Sequence, residues 1–436
     1  MTLIKKIVIA VLNWESRLII AKYQPFVVAV TGSVGKTSTK DAIYSVLKYS
    51  AKYVRKSEKS FNSEIGLPLT VIGVPNAWKS MSGWMRNILR GLEIILGRTE
   101  YPECVIIEMG ADHPGDIRKV AKWLHPDIVV MTKVSDTPVH VEFFSSPDEV
   151  LREKSYLAQA VKKAGTLVLI ADDKKIMALS EDVLVKKSGA NIISYGEQGS
   201  ADVSGNDLKL DYKDNELSGI TFTLTDNHVS IPVHVNRVVG NTYIYPLLAA
   251  AAVGRARGMT PELISKGLSE YEAPHGRMNV IAGINGSTLI DDSYNSSPDA
   301  VMSALNTIKS IQSSGRKIVA LGDMMELGKY TSDEHRRVGE AVAQVANILI
   351  AVGQRSKLSL VEGAVNAGMS PGAIHLFDSS SEAGQFLASI VAPGDVVLVK
   401  GSQSIRMERV SAALLRSPEK AATLLVRQEK EWLEKK

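Results

Sequence analysis

Short runs of aliphatic and β-branched residues alternate along the chain with longer segments in which apolar residues recur every three or four positions. The short runs are typical of strands buried in a parallel sheet, and the longer segments are typical of amphipathic helices. In the first part of the chain, strands are predicted at residues 26–30, 104–108, 127–132 and 166–170, and helices at 37–49 and 149–163. This alternation predicts a doubly wound, mostly parallel α/β sheet.

The pattern changes twice further along the chain. Residues 202–235 alternate polar and apolar positions with turn signals at 214–215 and 226–227, which predicts antiparallel strands attached to the first sheet. After a linker at 271–276, a second βα series has strands predicted at residues 288–291, 317–321, 347–352 and 396–400. The charged segment 419–436 predicts a solvent-exposed helix.

Three regions follow from these patterns. They are an amphipathic N-terminal helix (1–25), a central domain with a phosphate loop and a mostly parallel sheet (26–271), and a second, Rossmann-like α/β domain (272–436). The fold class is therefore α/β in both domains.

Composition narrows the functional classes. Apolar residues make up 45% of the 436 residues and charged residues 22%, as in globular proteins. The net charge of +4, without a dense basic stripe, does not favour nucleic-acid binding. The single cysteine, Cys104, lies in an apolar run and excludes a disulfide within the chain. A reducing, cytoplasmic location is therefore expected.

Residues 1–22 begin like a signal peptide, with two lysines before the apolar run 7–12. The run is short, polar residues interrupt it, and no small-residue cleavage site precedes Phe26. The segment is also too short and too charged to span a bilayer. An amphipathic helix is predicted, which either packs on the body of the protein or contacts a membrane surface or a partner protein.

The strand at 26–30 leads directly into Thr-Gly-Ser-Val-Gly-Lys-Thr-Ser at 31–38. A strand, a glycine turn and a helix start point backbone N–H groups at a phosphate. Lys36 can reach the outer phosphates of a nucleotide, and the hydroxyl of Thr37 can bind Mg²⁺. The first glycine of the usual pattern would fall at Val30 and is found at Gly32, so the loop is short.

Other polar residues follow the predicted strands of the first sheet. Glu108 ends a strand at the edge where ligands bind, and it is either a Mg²⁺ ligand or a turn-capping carboxylate. His140 follows the next strand and is either a ligand or a structural histidine. Lys154 lies on the following helix, where a lysine is ordinarily a solvated charge.

The second domain has a similar group. Asp291 and Asp292 follow a strand and either bind ribose hydroxyls or cap a helix. Arg277, just past the linker, could contact phosphates when the domains close. The segments 321–328 and 400–408 are turns after strands, and each by itself would be a capped βα turn.

Taken together, these segments resemble the Mur ligases, the ATP-dependent amide-forming enzymes of peptidoglycan precursor synthesis. The match runs from about residue 26 to 416. The segments that carry it are 31–38, 62–70, 108–116, 140–144, 171–173, 291–298, 321–328 and 399–409.

The resemblance implies a mechanism. ATP phosphorylates a substrate carboxylate, and the incoming amine attacks the acyl phosphate. The expected amine is D-alanyl-D-alanine or a related amine, and the expected acceptor is a peptidoglycan precursor. The implied partners are thus small molecules.

The resemblance also implies residue roles. The catalytic set would be Lys36, His140 and Lys154. Mg²⁺ would be held by Thr37, Glu108, His140 and Lys154, the last as a carbamylated lysine. ATP would contact Gly32, Ser33, Gly35, Lys36, Thr37, Ser38, Arg277, Asp292 and Asn295. The substrates would contact Asn62, Asp323, Glu326, Lys400, Ser402 and Arg406.

Three departures from the family pattern affect substrate choice. Full-length relatives have an N-terminal domain that binds the UDP part of the acceptor, and only about two dozen residues precede the first strand here, so that domain is expected to be absent. The metal loop has Thr132 and Lys133 in place of an asparagine-rich sequence and is longer. The adenine-binding Gly-x-His-Asn has Asn241, Thr242 and Tyr243 after its glycine.

Several functional classes therefore stay open. One alternative is a Mur-type ligase for a carboxylate without UDP, as in cofactor amidation or amino-acid polymer synthesis. Another is a non-catalytic nucleotide-binding scaffold, against which the intact Lys36, Glu108, His140 and Lys154 argue. A third is a P-loop kinase or mechanical ATPase, against which the short loop argues.

Overall fold

Two β-sheets organise the part of the chain that the computed structural model describes, residues 3–58, 65–78, 80–134, 143–197, 200–213 and 216–434. The first sheet has nine strands and the second has six within these residues. Helices cover both sheets, as predicted for α/β domains.

The first sheet has the order β2-β3-β1-β4-β5-β6-β7-β8-β9. Its strands are β1 (Phe26–Thr31), β2 (Val54–Lys56), β3 (Cys104–Glu108), β4 (Ile128–Met131), β5 (Thr166–Ile170), β6 (Asn191–Gly196), β7 (Val203–Lys213), β8 (Glu216–Asp226) and β9 (Val229–Asn236). Neighbours are parallel from β2 to β7, and the pairs β7–β8 and β8–β9 are antiparallel. The predicted antiparallel extension of the first sheet is thus confirmed.

Ten helices accompany this sheet in the described residues. They are α1 (Leu3–Tyr23), α2 (Lys36–Leu47), α3 (Gly66–Ile72), α4 (Met81–Leu96), α5 (Asp116–Ala121), α6 (Pro147–Gln159), α7 (Lys174–Met177), α8 (Val183–Ser188), α9 (Ile244–Ala256) and α10 (Pro261–Ser269). Helix α9 is apolar around most of its circumference because it is buried against α2 and the sheet. Ser146 caps the N-terminus of α6, and its hydroxyl accepts a hydrogen bond from the Glu149 N–H.

The second sheet has the order β10-β11-β15-β12-β13-β14, and only β10 is antiparallel to its neighbour among the described strands. Its strands are β10 (Asn279–Ala282), β11 (Thr288–Asp292), β12 (Lys317–Gly322), β13 (Ile348–Val352), β14 (Ile374–Phe377) and β15 (Val396–Lys400). The accompanying helices are α11 (Pro298–Ser310), α12 (Thr331–Ala343), α13 (Val361–Asn366), α14 (Ser380–Ile390), α15 (Glu408–Ala413), α16 (Ala421–Leu424) and α17 (Lys430–Leu433). The domain limits at 25/26 and 271/272 stay predictions.

The C-terminal segment differs from the prediction of one exposed charged helix. It forms the two short helices α16 and α17, and Arg427 between them is buried. The guanidinium of Arg427 donates to Glu408 Oε2 at 2.9 Å and to the carbonyl of Ser293 at 3.2 Å. Because a buried charge needs such partners, the segment is fixed against the second sheet.

Helix α1 packs on α3 and α4 and buries Leu12 and Ile19 completely. This agrees with the predicted packing on the body of the protein. None of the helices in the described part of the chain combines the length and the apolar character needed to cross a bilayer.

Glu15 lies in the contact between α1 and α4. Its carboxylate is fully buried, and neither oxygen has a hydrogen-bond partner within the described residues. Gly91 on α4 leaves the space for it, since a Cβ there would lie 2.2 Å from Glu15 Oε2. Burial raises the pKa of Glu15 from 4.5 to about 7.

Glu15→Gln should flatten the pH dependence of stability. Since the folded pKa lies above the unfolded value, the unfolded chain releases this proton first, and wild-type stability falls as the pH rises from 4.5 to 7. Between pH 5 and pH 8, the wild-type free energy of unfolding should fall by about 2–3 kcal/mol more than that of the variant. Urea unfolding at both pH values measures this difference.

Glu93→Gln is the matched control, because Glu93 is an exposed carboxylate on α4. It should keep the wild-type pH dependence. The same pH dependence in Glu15→Gln and wild type would show that Glu15 keeps an ordinary pKa.

Candidate functional site

The phosphate loop connects β1 to α2 at the carboxyl edge of the first sheet. Gly32 (φ 146°) lies so close to the end of the neighbouring strand β4 that a Cβ on it would lie 1.9 Å from Thr132 Oγ1. The N–H groups of Ser33 and Val34 donate to the carbonyl of Lys133 at 2.8 and 3.2 Å. These bonds fix the loop, and α2 begins after it without a side-chain cap, which leaves N-terminal N–H groups for an anion.

Lys36 lies over the phosphate loop. Its Nζ donates to the carbonyls of Gly32 at 2.9 Å and Ser33 at 3.3 Å. Burial lowers the pKa of Lys36, and the nearby charge of Glu108 acts in the opposite direction. The ammonium group is thus positioned at the point where the loop would hold a phosphate.

Thr37 and Glu108 form the second part of the site. The Thr37 hydroxyl donates to Glu108 Oε1 at 3.0 Å. Glu108 is 1% exposed, and no described residue forms a hydrogen bond with its Oε2, although the Lys40 ammonium lies 3.8 Å away.

This pair fits a magnesium ion. A hydroxyl and a carboxylate are hard oxygen donors, and Mg²⁺ in nucleotide sites takes few protein ligands besides phosphate oxygens and water. In the described residues, no cluster of three or more His, Cys, Asp and Glu side chains is arranged to hold a metal. A hydroxyl and a carboxylate together are the kind of donor set that binds Mg²⁺ alongside phosphate oxygens.

Lys154 is buried on α6, contrary to the solvated position that a helical lysine ordinarily has. It is 4% exposed, and burial together with the positive charge of Lys36 lowers its pKa to about 7. The preceding residue, Glu153, accepts hydrogen bonds from the N–H groups of Ile117 (2.8 Å) and Arg118 (2.9 Å). These bonds hold α6 against α5 and so fix the position of Lys154.

A cavity of about 620 Å³ joins these groups to the second domain. The predicted site residues that line it are Gly32, Ser33, Gly35, Lys36, Thr37, Glu108, Lys154, Arg277, Asn295, Glu326, Lys400 and Ser402. Both sheets thus contribute the ends of their strands to one space, as expected for ligand sites of α/β proteins.

Four of the predicted site residues that the structure describes are not among the lining residues. Ser38 is buried within α2, and the carboxylate of Asp292 accepts a hydrogen bond from Lys400 Nζ at 2.7 Å. Asp323 accepts a hydrogen bond from the N–H of Ser356 at 2.7 Å, and Arg406 donates to Glu408. In this arrangement the last three side chains bind other protein groups.

Asn62 and His140 lie outside the described residues. Their predicted roles in substrate and metal binding stay predictions.

Among the lining residues that sequence reasoning did not name are Asp112, Tyr294 and Trp432. Asp112 and Tyr294 belong to segments that carried the resemblance, so their position was available as a signal. The guanidinium of Arg277 lies 4.2 Å from the centre of the Tyr294 ring, a cation–π contact that orients Arg277 at the cavity. For Trp432, the only signal was an aromatic residue within a charged segment.

The segment that departs from the adenine-binding pattern lies at the junction of the two domains. Gly240 (φ 96°) touches α11, where a Cβ would lie 2.1 Å from Thr307 Oγ1. The Tyr243 hydroxyl donates to the carbonyl of Arg277. Tyr243 therefore links the central domain directly to a residue that lines the cavity.

A phosphate loop, a hydroxyl–carboxylate pair and a cavity between two α/β domains define a nucleotide-dependent two-domain enzyme. The family model of the Mur ligase middle domain matches residues 30–254, and that of the Mur ligase, glutamate ligase domain matches residues 276–403. The chain belongs to the Mur ligase family and is an ATP-dependent ligase.

Similar proteins include the UDP-N-acetylmuramoyl-tripeptide–D-alanyl-D-alanine ligases of Bacillus subtilis and Mycobacterium tuberculosis. The first is 27% identical over 90% of this chain and 76% of its own length, and the second is 31% identical over 89% and 72%. The solved MurF ligase of Thermotoga maritima in complex with ADP is 25% identical, with a TM-score of 0.75 over 95% of this chain and 84% of that one.

Proposed function

We propose that this ligase forms an amide between a carboxylate of a peptidoglycan precursor and the amine of D-alanyl-D-alanine. The observation that carries the proposal is the cavity, which joins the phosphate loop and Glu108 to lining residues from the second domain. The names of the relatives that match most of this chain support the choice of substrates.

In the proposed reaction, the acceptor carboxylate attacks the γ-phosphorus of ATP, which yields an acyl phosphate and ADP. The amine of the dipeptide then attacks the acyl carbon, and the tetrahedral intermediate collapses to the amide and inorganic phosphate. Lys36 neutralises negative charge on the phosphoryl group during the first step. Bound Mg²⁺, held by Thr37 and Glu108, would supply further neutralisation of phosphate charge.

Residues of the second domain would bind and orient the substrates. Arg277 and Lys400 offer positive charge at the cavity, and Glu326 and Ser402 offer acceptors for an incoming ammonium group. Asp292 keeps Lys400 in place through their 2.7 Å ion pair. Closure of the two domains around the substrates would exclude water, which would protect an acyl phosphate from hydrolysis and align the amine.

The remaining proposed roles concern Lys154 and His140. A carbamate on Lys154 would add a carboxylate beside Lys36 and Glu108, and His140 would act with it. The lowered pKa of Lys154 supports this role, because only a neutral amine reacts with carbon dioxide.

The test is phosphate release from ATP with UDP-N-acetylmuramoyl-tripeptide and D-alanyl-D-alanine, with each omitted in turn. We expect release that requires both substrates and a pentapeptide product in the mass spectrum. Release that requires an amine but a different carboxylate would replace the proposed acceptor. Release that is indifferent to amines would exclude a ligase reaction of this kind.

Glu108→Gln should raise the Mg²⁺ concentration needed for half-maximal phosphate release by about 10- to 100-fold, since loss of groups that support a metal site has effects of this size. The amide keeps the shape of the side chain but lacks the negative charge that favours a divalent cation. A Mg²⁺ titration of the initial rate at saturating substrates measures the effect.

Glu103→Gln is the matched control, because Glu103 is an exposed carboxylate immediately before the same strand. It should keep the wild-type titration. An unchanged titration in Glu108→Gln would remove Glu108 from the metal site.

A further inference from the structure

Helix α1 has an apolar side that faces solvent. Ile7, Trp14 and Leu18 are 54%, 52% and 37% exposed, and they follow one another at helical spacing. The opposite side of the helix, with Leu12 and Ile19, is fully buried. The helix is therefore apolar on both sides, although only one of them is buried against other described residues.

Helix α4 has the same property. Met81, Met85, Leu89 and Leu96 are 61%, 57%, 59% and 82% exposed along one stripe. The fully buried residues of this helix are Gly83, Asn87, Gly91 and Ile94, and Trp84, Ile88 and Ile95 are partly buried against the core. The apolar face of α4 is thus wider than its contact with the protein and continues into the exposed stripe.

The two exposed stripes belong to one surface. Gly91 of α4 faces Glu15 of α1, and further along both helices Lys22 Nζ donates to the carbonyls of Ile94 (3.1 Å) and Ile95 (2.8 Å). The helices therefore lie side by side and run in the same direction. Successive residues of a helix are rotated by about 100° around its axis. Counted from these contacts, this rotation places both apolar stripes on the side that faces away from the body of the protein.

Basic residues dominate the charge of this region. In α1, α4 and the two residues after α4, the basic residues are Lys5, Lys6, Arg17, Lys22, Arg86, Arg90 and Arg98, and the acidic ones are Glu15 and Glu93. Glu15 is buried, and Glu93 is paired with Arg90 at 2.7 Å. Arg17 flanks the stripe of α1, and Arg86 flanks that of α4.

We propose that the α1–α4 surface, formed by Ile7, Trp14, Leu18, Met81, Met85, Leu89 and Leu96, docks on an anionic lipid bilayer. Proteins that bind one face of a membrane lie in the plane of the membrane–water interface. They insert apolar side chains among the lipids and place basic residues at the border of the contact, next to anionic headgroups. Trp14 suits the boundary between headgroups and acyl chains. The proposal does not depend on which substrates the ligase uses.

A second copy of the chain suits this surface less well. A symmetric dimer through the same patch would place its basic border against an identical basic border, and like charges oppose such an interface. An anionic bilayer instead complements that border.

The test is co-sedimentation of the full chain with vesicles of phosphatidylcholine alone and of an equal mixture with phosphatidylglycerol. We expect binding to the anionic vesicles, weakening as salt is raised. Leu89→Glu and Met85→Glu should each reduce the partition coefficient by at least about tenfold, since each removes apolar area and adds repulsive charge. Both positions are exposed, so the variants should fold.

Leu358→Glu is the matched control, because Leu358 is also an exposed leucine, with 70% of its surface accessible, and lies in the second domain. It should bind like wild type. Absence of sedimentation with anionic vesicles, or equal binding to both compositions at all salt concentrations, would overturn the proposal. A dimer in light scattering that Leu89→Glu converts to a monomer would overturn it in favour of a second copy.

Discussion

Lys36→Met is expected to lower the rate of substrate-dependent phosphate release by at least 10²–10³-fold, roughly the effect of removing one preorganised donor from a site of developing charge. Lys36 Nζ lies 2.9 Å from the carbonyl of Gly32, on the loop that would hold the phosphates. Methionine keeps an unbranched side chain that is one atom shorter, and it removes the charge and the donors. Initial rates at saturating ATP and Mg²⁺ measure the loss.

Stability should not follow activity in this variant. Burial disfavours the ammonium form of Lys36, as its lowered pKa indicates, so an uncharged side chain there leaves the free energy of unfolding unchanged or higher. Lys48→Met is the control at the opposite end of α2, where the Lys48 side chain is 34% exposed and paired with Glu270. An equal loss of activity in both variants, or a fully active Lys36→Met, would contradict the assigned role.

The central strands of both sheets could be predicted because their physical signal is local. Strands β1, β3, β5 and β15 are buried on both faces, and each is a nearly continuous apolar run. The strands without a prediction are less buried. Strand β14 lies at an edge of the second sheet, and its residues are mostly half-buried. Strand β2 has only three residues and lies at an edge of the first sheet. Such strands are defined by their partners and carry little sequence pattern.

In the site too, some residues could be placed from local sequence pattern, and the others depend on tertiary contacts. Lys36, Thr37 and Glu108 could be placed together from the sequence, because a phosphate loop and the end of a parallel strand meet at the same sheet edge. The contributions of Asp292 and Asp323 could not, since both carboxylates bind other protein groups: Lys400 in one case and the N–H of Ser356 in the other. Sequence spacing does not reveal which carboxylate a buried lysine will select.

Trp432 and Lys154 also have positions that sequence spacing does not reveal. Trp432 lines the cavity, and its position depends on contacts between distant segments: Arg406 donates to its carbonyl at 3.0 Å, and the guanidinium groups of Arg406 and Arg427 lie over its ring. Lys154 has the sequence environment of a solvated lysine, and its burial follows from the position of α6 beside the phosphate loop. For Lys154, family resemblance rather than periodicity supplied the prediction.

Lys154→Ala is expected to lower the rate of phosphate release by about 10- to 100-fold, the effect of losing a group that supports a metal site. Added bicarbonate should not restore the variant. In wild type, the neutral amine that a pKa of about 7 provides reacts with carbon dioxide to give a carbamate and a proton. Removal of dissolved carbon dioxide should therefore lower wild-type activity, and bicarbonate should restore it.

Carbon-13 NMR separates the carbamate from a simple packing role of the lysine. With ¹³C-labelled bicarbonate, wild type should show a carbamate signal that Lys154→Ala lacks, and Lys163→Ala should retain it because Lys163 is an exposed lysine just after the same helix. Near-normal turnover in Lys154→Ala would remove Lys154 from the catalytic set. Lost turnover without any carbamate signal in wild type would instead leave its buried ammonium or amine as the active form, acting directly beside Lys36.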